Sequence, residues 1–260
     1  MIGVTAQWLL LDVPSVPRAR ALLQKPFPRA QWFWLFEGTQ WHALREDGPA
    51  LIDLRECPAL AQACYSQAQV CRGLLIVSEA PASRLLEHLR RMLTVTLGVH
   101  RALLSYYNPN TASYFFDACD AGELSRWLGP INQLHWFGGT WADRAVGCQG
   151  WQQLLNPALA VRPLAVEESL SPLQREKLQT CLLEQHAWHW SQSTGTDYPR
   201  LWAYLQEGLA LDFSERPVLD GWLWLRLQYP EASLVLPLSG RTQQERLDSL
   251  SQYWQKDQAQ

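Results

Sequence analysis

The chain has 260 residues and 47% of them are hydrophobic, enough to bury a sizeable core in one large domain or two packed lobes and too apolar for disorder. Its 22 Lys and Arg against 25 Asp and Glu give a formal charge of -3, and its pI is near 6.1. The arginines are scattered along the sequence apart from Arg90-Arg91, so nothing offers phosphate backbones a general attraction, and nucleic acid is not expected as a partner.

The run from residue 1 to 11 is apolar. No basic region precedes it, and Asp12, Pro14 and Pro17 follow where a secretory leader would place small residues, so it reads as a first strand. Residues 222–227 form the best apolar stretch, yet it is short and holds Arg226, well below the ~18–20 residues of a membrane helix. A cytoplasmic protein that does not meet the membrane is expected.

Residues 7–11 read as a strand, 18–24 as a turn or two of helix, and 31–36 as an aromatic strand ending at the Glu37-Gly38 turn. After Gly48-Pro49 come a short strand at 50–54, a helix over 58–70 and a buried strand at 73–77. Over 81–93, Leu85, Leu86, Leu89, Met92 and Leu93 recur at helical spacing, with Pro81 in the first turn and Glu87 one turn before Arg91. Residues 94–97 and 102–107 follow as a hairpin about Gly98. Asp120 with Glu123 forms a capping box for a helix over 121–128 that Gly129-Pro130 stops, and 131–137 return as a strand.

Pro157, Pro163 and Pro172 mark residues 156–172 as a linker, and the boundary is placed near residue 165. Helices are then expected from Ser171-Pro172 to about 190, at 198–209, at 217–228, and at 243–254 with Thr242 and Glu245 as the cap. The fold class is therefore a mixed α/β lobe over residues 1–165 followed by an all-α lobe over 166–260.

Recognisable chemistry is sparse. There is no phosphate loop, dinucleotide fingerprint or GxSxG elbow, and Gly138-Gly139 reads as a turn, so no cofactor is expected. His186 and His189 form HxxH, close enough to share a zinc ion, but no third ligand is nominated; packed histidines are expected and no metal. Ser78, His88 and Asp53 or Asp117 could be assembled into a triad on paper, although Ser78 before a helix also suits a turn hydrogen bond. Six cysteines lack any CxxC pair; Cys57, Cys64 and Cys71 recur every seven residues, which would put them on one stripe of a helix about two turns apart. They read as reduced, buried thiols. The 14 tryptophans are the unusual feature, since indole combines a large apolar area with one hydrogen-bonding tip, a combination that serves both cores and interfaces.

Five blocks occur in order: residues 35–39, 48–51, Ser78-Glu79-Ala80 leading into His88-Leu89-Arg90-Arg91, 103–109, and 128–131. From about residue 7 to 137 their spacing resembles the type VI secretion adaptors, or effector chaperones (Tap/TEC type), which share a domain first classed as one of unknown function. The chain departs from that pattern at one place. The family has an arginine, two aromatics and Asp-Pro-Arg, where this chain has Ser105, Tyr106, Tyr107, Asn108, Pro109 and Asn110, so neutral hydrogen bonds from Ser105 and Asn108 must hold that turn. The resemblance implies a non-catalytic adaptor that holds the N-terminal region of a toxic effector and loads it onto a VgrG-type spike protein. Anchors for these partners are expected at Trp32, Trp34, Trp136 and Trp141, with Arg90 and Arg91 as rim charges. The competing classes are an immunity-like toxin inhibitor and a hydrolase built on Ser78 or the histidine pair.

Overall fold

The computed structural model describes residues 6–16, 18–234 and 238–258, so the beginning of the 1–11 run and Pro17 lie outside the described residues. The chain divides into two compact units, residues 1–181 and 182–260. The division falls within a long helix, C-terminal of the proline-rich segment where the sequence places the boundary.

The first unit is built on a six-stranded sheet, every neighbouring pair of which is antiparallel. At its centre lie β1 (Trp8–Leu11), β3 (Ala50–Asp53) and β4 (Gly73–Val77), and β2 (Trp32–Trp34) forms one edge beside β3. β7 (Gln133–Gly138) continues the sheet beyond β4, and β8 (Gly150–Leu155) is the other edge. Side chains alternate across a strand. Trp8, Leu10, Leu51, Leu74 and Ile76 therefore enter one apolar cluster, while Leu9, Leu11, Ile52 and Leu75 enter a second on the opposite face. Both faces are covered, which is why these strands are nearly continuous runs of apolar residues. Gly73 is required here, because a Cβ would come 2.1 Å from the Leu10 carbonyl oxygen of the neighbouring strand.

The second cluster is closed by α1 (Ala19–Leu23) and α2 (Pro58–Ser66). The first is closed by α3 (Ala82–Met92), α4 (Pro109–Phe115) and α5 (Ala121–Leu128), whose capping box between Asp120 and Glu123 is formed as expected. The Gly98 hairpin is β5 (Thr94–Leu97) with β6 (His100–Leu103), and β5 also pairs in parallel with the two-residue β9 (Glu168–Ser169). A short α6 (Trp141–Ala145), capped by Thr140, separates β7 from β8.

Several elements differ from the sequence reading. The strand expected over 102–107 ends at Leu103, and α4 follows it unanticipated, started by Asn108 as its cap: the Asn108 Oδ1 accepts the N–H groups of Asn110 and Thr111 at 3.0 and 3.3 Å. α6 and β8 were not anticipated, and the presumed linker contributes β9. The cysteine stripe does not form on one helix. Cys57 precedes α2 and Cys71 follows it, although all three thiols are buried and those of Cys64 and Cys71 meet.

The second unit is helical: α7 (Pro172–Thr194) enters it, followed by α8 (Tyr198–Ala210), α9 (Arg216–Gln228) and α10 (Gln243–Gln258). Ser171 and Gln174 cap α7 reciprocally, and Thr242 and Glu245 do the same for α10. Inside the unit, Leu201, Leu205, Phe213, Trp222 and Trp254 are buried. Arg226 reaches into this aromatic core, where its guanidinium lies 5.2 Å from the Trp254 ring centroid, pairs with both Glu207 oxygens at 2.7 and 2.8 Å, and donates to the carbonyls of Tyr229 and Ala232. A charge is tolerated there because each nitrogen of the planar fork donates at least one hydrogen bond and Glu207 supplies the counter-charge. No helix among the described residues is long and apolar enough to cross a membrane.

Candidate functional site

α3 shows how one amphipathic sequence makes a surface. Leu85, Leu86, Leu89 and Met92 are buried against the sheet, which leaves Arg84, Glu87, His88 and Arg91 as an outer ridge at i, i+3, i+4 and i+7. Glu87 accepts from Arg91 across one turn, a surface pair worth about 0.3–0.5 kcal/mol. A hollow lies on each side of the ridge. One, of about 360 Å³, lies between α3, α5 and residues 159–164; the other, of about 550 Å³, lies between α3, the turn at residues 38–40 and residues 166–167. Glu87 and Arg91 line both.

The walls of the first hollow are held by buried polar contacts. His88 Nε2 is 2.8 Å from the Trp127 carbonyl oxygen, and since a carbonyl only accepts, the proton is on Nε2. Burial, reinforced by the charges of Arg91 and Arg84, pushes the His88 pKa below its usual value against the pull of that hydrogen bond, which favours the neutral ring. Its edge fills the space a side chain would need at Gly129, where a Cβ would come 2.4 Å from His88 Cε1 and φ is +52°. The opposite wall hangs on Glu168, which is 4% exposed. It accepts from both terminal nitrogens of Arg162 and, at 3.1 Å, from the Ala165 N–H, with Arg126 Nε 3.9 Å away. Burial alone would raise its pKa, but those hydrogen bonds and the two guanidinium charges hold the carboxyl below its ordinary value.

The six expected contact residues do not form one patch. Trp32 and Trp34 are half-buried on β2 at one edge of the sheet, 5.7 Å apart by ring centroid, with Arg20 4.7 Å over Trp34. Arg90 belongs with them: it donates to the carbonyls of Trp34 and Leu35, both at 3.1 Å, and so ties β2 to α3. It also lines the larger hollow, while Arg91 lines both. Trp136 and Trp141 lie near the other edge and are 5% and 6% exposed. Trp136 Nε1 donates to Ser113 and the backbone N–H of Trp141 to the Tyr114 hydroxyl, and both rings are buried within the unit's own packing. Arg84, Arg126 and Arg162 were missed as members of a site. Only Arg84 carried a signal, the helical spacing that aligns it with Glu87 and Arg91.

The paper triad is not assembled. Ser78 donates to the Pro130 carbonyl at 2.6 Å and accepts from the Ala80 N–H; His88 is committed to Trp127, Asp53 to Arg55 and Asp117 to Lys177. In the second unit His186 Nε2 lies 3.0 Å from Asp220 Oδ1, off the line of a well-directed hydrogen bond, and Trp190 Nε1 donates to the same oxygen at 2.9 Å. Among the described residues no three His, Cys, Asp or Glu side chains converge as metal ligands would.

Residues 7–126 match the model of a family described as a domain of unknown function, DUF4123. The matched segment runs from the start of β1 into α5 and contains Arg84, Arg91 and Arg126. No curated protein and no solved structure matches the chain. Within the matched segment, the departure at 105–110 has a structural counterpart. Asn108 donates to Asp12 at 2.7 Å, and Asn110 accepts from Arg72 and donates to the Gly139 carbonyl at 2.9 Å. Neutral amides on α4 thus bridge an aspartate at the end of β1 and an arginine at the start of β4. Burial raises the pKa of Asp12, opposed by Ser15, Asn108 and Arg72.

Proposed function

We propose that this protein is a non-catalytic adaptor that holds a type VI secretion effector by its N-terminal region and loads it onto a spike protein. The observation that carries the reading is the family match over residues 7–126, which spans four of the five blocks whose order resembles the secretion adaptors. The α3 ridge supports it physically. Two hollows of a few hundred Å³, with charged rims and apolar walls, suit side chains of a polypeptide partner. Loading also requires release, which favours contacts of moderate affinity over an extensive dry interface.

The test is co-purification of the tagged full chain with the effector and spike proteins encoded beside its gene, together with co-expression beside the isolated toxic domain. An adaptor captures effector and spike and leaves cells sensitive to the toxic domain alone. Rescue of those cells would instead identify an immunity-like inhibitor, and failure to capture either partner would overturn the proposal.

A further inference from the structure

The smaller hollow gathers arginines from three parts of the first unit: Arg84 and Arg91 from α3, Arg126 from α5 and Arg162 from the proline-rich segment. Four guanidiniums stand against the two carboxylates that pair with them, Glu87 and Glu168, which leaves an excess of two positive charges in a chain whose net charge is -3. Arg84 makes no hydrogen bond or ion pair among the described residues, and Arg126 Nε is buried without a hydrogen-bond partner. A planar donor fork in such a place is complementary to a carboxylate, which it grips through two parallel hydrogen bonds. The remaining wall is apolar: Leu159 and Val161 are 50% and 40% exposed beside the buried Leu164.

From this geometry we infer that the cleft between α3, α5 and residues 159–164 is a binding site for an acidic peptide segment, its carboxylates on the arginines and its apolar stems on Leu159 and Val161. The site names the chemistry of a partner segment and rests on the adaptor reading only for which protein carries that segment. A volume of about 360 Å³ takes two or three residues, and positive charge confined to one cleft does not follow a nucleic-acid backbone.

The experiment uses the full chain and fluorescence anisotropy with three labelled probes: six glutamates, six glutamines and six thymidylates. The glutamate peptide should bind at low salt at least tenfold more tightly than either other probe and weaken as salt is raised. Arg84→Glu, at a side chain with no partner to lose, should weaken it about tenfold by removing the charge excess, and Arg91→Gln should weaken it less. Arg29→Glu, an equal charge change at an exposed site outside the cleft, should leave it unchanged within about twofold. Equal binding of the glutamine peptide, tighter binding of thymidylate, or equal loss with Arg29→Glu and Arg84→Glu would overturn the site. Effector capture could fail while glutamate binding persists, so the two proposals fall separately.

Discussion

Replacing Glu168 by glutamine tests whether one buried carboxylate holds the wall of the cleft. The variant keeps the shape and one acceptor for the Ala165 N–H but loses the charge that Arg162 and Arg126 face. The Arg162 side chain is 56% exposed, so its pair with Glu168 is screened by solvent and adds little. Weakening the charge-assisted bond from Ala165 costs about 1 kcal/mol, and leaving the largely buried Arg126 without a counter-charge costs about another. The sum is about 2 kcal/mol. For a unit of 181 residues that corresponds to a Tm lower by about 4–8 °C, read by calorimetry at pH 7. The sign with pH follows from the depressed carboxyl: its contribution is full above the ordinary value of 4.5 and is lost as pH falls through the lower folded value. The gap between parent and variant should therefore narrow below about pH 4. A shift under about 2 °C at pH 7, or a gap of the same size at pH 3, would refute the account.

Gly129→Ala should destabilise the first unit by about 2–4 kcal/mol, since it combines a left-handed φ with a Cβ pressed against the His88 ring; a denaturant midpoint measures it. His88 should titrate below 6.5 by NMR, and its depressed pKa means its contribution is present above that value and fades as pH falls; Arg84→Ala should move the titration upward. In the helical unit, Arg226→Lys should cost about 2–4 kcal/mol in chemical unfolding despite keeping the charge, because an ammonium cannot span both Glu207 oxygens and the two carbonyls while lying against the Trp254 ring.

Much of the fold could be read from local pattern. Residues 73–77 and 121–128 form the expected elements with the expected ends, because a doubly buried strand needs an unbroken apolar run and a capping box writes its own start. The hydroxyl of Ser78 and the caps of α7 and α10 also act as short-range chemistry suggests. α4 was hidden by its context. Its cap, Asn108, reads equally as a turn, and the aromatics before it look like strand until Tyr106 is seen donating its hydroxyl to the Leu89 carbonyl in the core. β8 was hidden because an edge strand with exposed Gln152 and Gln153 gains its identity from pairing with β7.

By itself the sequence determined that the chain is an α/β body followed by helices, since periodicity and caps act within a few residues of one another. It also carried the ordered blocks on which the adaptor reading rests. Only the tertiary structure decided what the tryptophans and arginines do. It buried Trp136 and Trp141, left Trp32 and Trp34 half-buried on an edge strand, and drew Arg84, Arg91, Arg126 and Arg162, spread over 79 positions of sequence, into one cleft. The physical reason is that a charge cluster of this kind needs no local spacing: each guanidinium is placed by the packing of its own element, and their sum exists only where those elements meet.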